Sequence, residues 1–171
     1  MRAERSARTD RSGTPFEIGV SCPEEISSLL DMYITFSPKP VSQGLPPEDP
    51  ETCRDWVQTL CKLGINILAW RGDQVIGHVA LVPNVEGKSG EFVIFVHQDH
   101  RNLGIGTALG EVALEMYRQL GFECVWLTVR MMNYVAIKLY KNLGFEFCDS
   151  DNYERLMVLE LRPAAEFTFR A

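Results

Sequence analysis

Two hydrophobic periods divide the chain. Short runs rich in β-branched and aromatic residues, "PFEIGV", "INILAW", "QVIGHVALV", "EFVIFVH", "CVWLTVR" and "YERLMVLEL", predict strands. Between them lie stretches whose apolar residues recur every three or four positions. "CPEEISSLLDMYITF" carries Ile26, Leu29, Leu30 and Tyr33 at helical spacing, with Pro23 suited to a first turn. "ETCRDWVQTLCKLG" aligns Trp56, Leu60 and Leu63 and stops at Gly64. A third helix over 104–120 turns Ile105, Leu109, Val112, Ala113, Met116 and Leu120 inward, and a fourth, "NYVAIKLYKNLGF", closes at Gly144. "RGDQ" reads as a hairpin turn, and "SPKPVSQGLPPEDP", with five prolines in fourteen residues, as a loop. Pro163 ends the last strand.

The predicted order is β-α-α-β-β-β-α-β-α-β. Strand-helix-strand alternation in the second half implies a right-handed crossover and a locally parallel pair. The fold expected is therefore α/β (α+β): a mixed, mostly antiparallel central sheet with helices on both faces. The almost continuous apolar run of "EFVIFVH" predicts a strand buried on both faces. One domain over 15–163 follows from a length of 171 residues, between a disordered tail over 1–14 and a C-terminal tail over 164–171.

Composition changes this picture little. With 46% hydrophobic and 23% charged residues the chain is ordinary for a globular protein. A net charge of -6 argues against nucleic acid as a partner, because neutralising phosphates needs a basic surface. No run approaches the roughly 20 apolar residues of a membrane span. Five scattered cysteines, Cys22, Cys53, Cys61, Cys124 and Cys148, make neither metal-ligand spacing nor a disulfide scaffold. A reducing cytoplasm is the compartment they suit, and no metal is expected.

Candidate chemistry concentrates where a buried strand turns into a helix. "VHQDHRNLGIGTALG" places Gly104, Gly106 and Gly110 around a helix start, where unpaired N–H groups and the positive end of the dipole favour an anion. Glycine lets a phosphate approach the backbone, and Arg101 stands just before the turn. A dinucleotide fingerprint matches formally, but it belongs at a first βα turn and needs an acid ending the next strand, which here ends in Arg130. A Walker A loop needs Gly-Lys-Ser/Thr, whereas Thr107 follows Gly106 directly.

These residues resemble the GNAT superfamily of acyl-CoA-dependent N-acyltransferases. The resemblance is carried by "VHQDHRNLGIGTAL" followed by "NYVAIKLYKNLGF", and it extends over the element order from about Phe16 to Leu161. Arg101, Gly104 and Gly106 match the family's Arg/Gln-x-x-Gly-x-Gly/Ala signature. The resemblance implies that the segment Arg101, Asn102, Leu103, Gly104, Ile105, Gly106 and Thr107 binds the pyrophosphate of acetyl-CoA. Asn102 and Leu103 stand where the family often has Gly and a basic residue, and Asn tolerates a left-handed backbone.

The same resemblance implies a role for Tyr140 in protonating the departing thiolate. Asn133, Ala136, Ile137 and Tyr140 fall on one helix face. Asn133 either caps its helix or binds the cofactor, or does both. Backbone amides near Phe95 and Val96 are expected to polarise the thioester carbonyl. Glu91 is the candidate base, with a solvated strand-end carboxylate as the plain alternative. His78 reads as a satisfied core residue, and His97 and His100 as exposed loop residues.

Direct attack by an amine is expected, since no cysteine has a neighbouring His or glycine elbow. The acceptor is a primary amine on a small molecule or on a protein lysine or N-terminus, with homodimer formation left open. Glu48, Asp49, Glu51 and Asp55 form either an acidic rim for a cationic amine or a solvated helix start. A non-catalytic acyl-CoA-binding regulatory module of the same fold is the alternative function.

Overall fold

A computed structural model of the chain describes residues 5–21, 23–40, 45–84, 86, 88–148 and 153–161. The elements are β1 (Arg5–Thr9), β2 (Pro15–Val20), α1 (Ile26–Thr35), α2 (Pro50–Leu63), β3 (Ile65–Arg71), β4 (Gln74–Pro83) and β5 (Ser89–Val96), then α3 (Ile105–Gln119), β6 (Cys124–Arg130), α4 (Tyr134–Asn142), β7 (Glu146–Phe147) and β8 (Glu154–Glu160). Single 3-10 turns at Pro23–Glu25 and Gln98–His100 precede α1 and α3. The strands form one sheet in the order β1-β2-β3-β4-β5-β6-β8-β7. Every neighbouring pair is antiparallel except β5 and β6, the parallel pair expected in the second half.

Helices cover both faces of the sheet. One cluster packs Leu29, Met32 and Tyr33 of α1 and Cys53 and Val57 of α2 against Leu68, Trp70 and Val75. The other packs Ile105, Leu109, Ala113 and Tyr117 of α3 against Ile67, Val79, Leu81 and Phe92. Local chemistry sets the helix ends. Asp49 caps α2 by accepting from the Thr52 amide at 2.8 Å, with Pro50 in the first turn. Gly72, at φ 60°, makes the two-residue turn that joins β3 to β4.

Three expectations need correction. The segment Arg5–Thr9, read as part of a disordered tail, pairs with β2 as an edge strand. Its anchor is Arg5, whose guanidinium lies 4.0 Å from the Trp70 ring and 2.6 Å from Glu25. Leu120, expected inward, lies just past the end of α3 and is more than half exposed, as is Leu63 at the end of the aligned stripe of α2. The strand β5 is not buried on both faces: Gly90, Phe92 and Ile94 are buried, while Glu91, Val93 and Phe95 are half-buried. The half-buried set borders a cleft. The C-terminal tail expected over 164–171 lies outside the described residues.

Candidate active site

The strands β5 and β6 pair and then part. Their ladder covers Ser89, Gly90 and Glu91 against Cys124, Val125 and Trp126, while β5 continues to Val96 and β6 to Arg130. A cleft of about 560 Å³ opens where the ladder stops. The stretch 91–96 of β5 forms one wall, Thr128 and Val129 of β6 with α4 the other, and the first turn of α3 borders both.

Glu91 occupies the last paired position, between Val82 of β4 and Trp126 of β6. By strand alternation it shares the sheet face of Val93 and Phe95, and Phe95 packs against the α1–α2 cluster. Partial burial raises the Glu91 carboxyl above its usual range, which makes it a stronger base than a solvated carboxylate. Tyr140 reaches the cleft from α4, with its ring 5.9 Å from that of Phe145. Burial pushes its phenol up to about 12, so it holds its proton throughout the neutral range.

The start of α3 has the form of an anion cradle. Gly104 is its N-cap in the left-handed region, at φ 83°, and has no side chain to cap the helix. The first helical bond runs from the Ala108 amide to the Gly104 carbonyl at 3.1 Å. The amides of Ile105, Gly106 and Thr107 precede it and have no carbonyl of their own helix to bond. All three residues line the cleft. Asn102 takes the left-handed conformation expected of it, at φ 64°.

Most of the residues singled out in the sequence converge here. The cleft brings together Glu91, Phe95 and Val96 of β5 with Asn133 and Tyr140 of α4. Arg101 and Asn102 join them from the turn before α3. Leu103 does not: its side chain packs against the core beneath α3 and lines no part of the cleft. Gly110 also lies elsewhere, against Leu143 just past α4. Asn133 caps α4 by accepting from the Ala136 amide at 3.2 Å.

Arg101 is engaged with the protein itself. Its Nε donates to the Val96 carbonyl at 3.1 Å, another nitrogen donates to the Ser37 carbonyl at 3.0 Å, and the guanidinium lies 5.0 Å from the Phe36 ring. It ties the loop after α1 to the end of β5.

Among the histidines, His78 is the satisfied core residue expected. It is fully buried between Tyr33 and Asn66, and burial pushes its pKa down to about 3. His97 corrects the sequence reading, being 3% exposed with its Nε2 at 3.2 Å from the Thr35 hydroxyl. His100 is half-buried beside Arg71. Of the acidic run, Asp49 is committed to capping α2, and none of Glu48, Asp49, Glu51 and Asp55 lines the cleft. Sequence reasoning missed Arg11, Phe36, Pro38 and Lys138, which do line it.

A helix start open to an anion thus lies at the fork where the parallel strands β5 and β6 part. The chain belongs to the Acetyltransferase (GNAT) family, whose model matches residues 27–145. Solved structures share the fold at low sequence identity. The GNAT domain of PAT from S. lividans superposes with a TM-score of 0.79 at 16% identity, over 91% of this chain and 96% of that one. RimL, a ribosomal alpha-N-protein acetyltransferase in complex with coenzyme A, gives 0.69 at 11% identity, over 85% and 93%. A ribosomal-protein-alanine N-acetyltransferase from Brucella melitensis gives 0.66 at 20% identity, over 84% and 97%. No curated protein matches the chain in sequence.

Proposed function

We propose that the chain is an N-acetyltransferase that moves an acetyl group from acetyl-CoA to a primary amine by direct attack within a ternary complex. The observation that carries this reading is the fork: Glu91 and Tyr140 line one cleft together with the uncapped first turn of α3. The residues present fit the cofactor. The amides of Ile105, Gly106 and Thr107, which have no carbonyl of their own helix to bond, suit its phosphates, and main-chain groups at Phe95 and Val96 suit the acyl carbonyl. Acetyl-CoA, when bound, supplies an acyl thioester.

The remaining work belongs to the side chains. An alkylamine titrates near about 10.4 and is mostly charged at neutral pH, so it must lose a proton before it attacks. Glu91 takes that proton, directly or through one water, with a carboxylate made more basic by burial. Tyr140 supplies the proton that the departing sulfur needs. A phenol near 12 is a weaker acid than one in water, but the desolvation that raises it also raises a thiol in the same cleft. No cysteine lines the cleft among the described residues, which supports direct attack over a covalent acyl-enzyme.

The test is a screen of primary amines with acetyl-CoA, following release of free thiol, with Tyr140→Phe run beside the wild type. Removal of the hydroxyl alone is expected to lower kcat by about 10² to 10⁴, the range for one positioned acid. The KM for acetyl-CoA should stay nearly constant, because the interaction matters chiefly in the transition state. Tight binding of acetyl-CoA without thiol release on any amine would overturn the enzyme reading and leave an acyl-CoA-binding regulatory module.

A further inference from the structure

The phosphate end of the cleft contains a cation that comes from outside the helix-start motif. Leu103, at the position where the motif often has a basic residue, is half-buried against the core and lines no part of the cleft. Arg101 spends two of its nitrogens on the main-chain carbonyls of Val96 and Ser37. A pyrophosphate at the α3 start would thus meet backbone amides but little uncommitted positive charge from its own loop.

Arg11 reaches the same place from the N-terminal hairpin. Its main-chain N–H donates to the Leu103 carbonyl at 3.0 Å, which fixes the β1–β2 turn on the loop before α3. Its side chain lies over Gly104. A Cβ built on Gly104 would stand 3.3 Å from the Arg11 Nε and 3.4 Å from its Cγ. Arg11 lines the cleft beside Arg101, Asn102 and Gly104, and its side chain is exposed. Among the described residues its guanidinium has neither an ion pair nor a hydrogen-bond acceptor.

The turn that carries Arg11 is held from within. The buried Asp10 carboxylate accepts from the Ser12 amide at 2.8 Å, the Ser12 hydroxyl at 2.6 Å and the Thr14 amide at 3.0 Å. Its other oxygen pairs with Arg71. Without Arg71, this carboxylate would be an unneutralised anion one residue from Arg11 and would compete for it. With Arg71 in place, Arg11 keeps its charge for a ligand.

We propose that Arg11 binds the pyrophosphate of the acyl-CoA, so that the β1–β2 hairpin completes the phosphate site that α3 begins. This rests on the acyl-CoA reading above. It makes the hairpin part of the cofactor site, although the hairpin lies outside the segment that the family model matches.

Calorimetric titration of wild type, Arg11→Gln, Arg11→Lys and Arg8→Gln with CoA, dephospho-CoA and pantetheine tests it. Arg8→Gln removes the same charge from an exposed residue of β1 that does not line the cleft. Arg11→Gln should bind both CoA and dephospho-CoA about tenfold more weakly, the scale of one hydrogen bond from a charged donor. Pantetheine, which has no phosphate, should bind all four proteins alike, Arg11→Lys should recover most of the CoA affinity, and Arg8→Gln should match wild type. Among the described residues the Arg11 side chain holds no protein partner, so the unliganded variants should melt with the wild type. Wild-type affinity for CoA in Arg11→Gln would overturn the proposal. So would a loss confined to CoA and absent for dephospho-CoA, since the contact would then be with the 3′-phosphate. A wild-type protein that binds neither CoA nor dephospho-CoA would sink the acyl-CoA reading itself, and the role of Arg11 with it.

Discussion

His78 shows how much can hang on the protonation of one buried ring. The Asn66 amide nitrogen donates to the carbonyls of Leu60 and Gly64, at 2.9 Å and 2.8 Å, so its oxygen is the acceptor facing His78. The Nε2 of His78 therefore carries the proton, and Nδ1 accepts from the Tyr33 hydroxyl at 2.8 Å. One neutral imidazole thus joins α1, β3, β4 and the end of α2. Its folded pKa of about 3 lies below the ordinary value of about 6.5, so the unfolded chain binds a proton that the folded chain refuses. The stability it contributes is complete above about pH 6.5 and declines as the pH falls toward 3. The slope approaches about 1.4 kcal/mol per pH unit from this one site. Denaturant unfolding from pH 7.5 to 5 should show that slope in wild type and lack it in His78→Gln, whatever the variant's overall stability. Equal slopes would mean that His78 titrates in the folded state. The burial of His78 was legible from its apolar strand. That of His97 was not, because the cover over it comes from Thr35 of a distant helix and leaves no local pattern.

At the scale of elements, periodicity located α1 to α4 and every strand from β2 to β6, together with β8. It failed where a strand has no buried face to announce it. The strand β1 reads Arg-Ser-Ala-Arg-Thr, exposed along most of its length, and it is held by ladder bonds to β2 and by Arg5 on Trp70. The two-residue β7 is too short for any period. The three glycines of the α3 segment also divide in a way that spacing could not show. Gly104 supplies a left-handed backbone and Gly106 lines the cleft, whereas Gly110 lets α3 approach α4. A Cβ at Gly110 would fall 2.6 Å from one terminal methyl of Leu143 and 3.0 Å from the other. A glycine inside a helix costs about 0.5–1 kcal/mol relative to alanine, a cost here offset by that close packing. Gly110→Val should therefore overpack the helix pair and cost about 1–3 kcal/mol in denaturant unfolding. Because the crowded partner Leu143 lies just past α4, which carries Tyr140, kcat should fall while the Kd for CoA stays within about twofold. A variant that loses CoA affinity as severely as kcat would place Gly110 in the phosphate site after all.

The whole molecule is a sheet of two parts. Strands β1 to β5 are antiparallel throughout, as are β6, β8 and β7, and the two sets share a ladder only over Ser89–Glu91 and Cys124–Trp126. The cleft is the consequence of that short seam, and it collects residues from positions 11 to 142 of the chain. The motif end of the site was therefore readable in sequence, since Arg101 to Thr107 are contiguous. Arg11, Phe36 and Pro38 were not, because only the tertiary fold brings them there. A ligand lying in the cleft touches both parts of the sheet, so its binding energy opposes their separation on unfolding. Acetyl-CoA at about a hundredfold excess over its Kd should stabilise the fold by about 2.7 kcal/mol. For a chain of this size that raises the Tm by about 5–10 °C, taking about 2–4 °C per kcal/mol. Amide exchange should slow on β5 and on β6 together, because the bound molecule spans the fork, while NAD at the same concentration should change neither reading. A shift from NAD equal to that from acetyl-CoA, or protection confined to one side of the seam, would mean that the cradle at Gly104 holds a different anion or that the ligand does not cross between the strands.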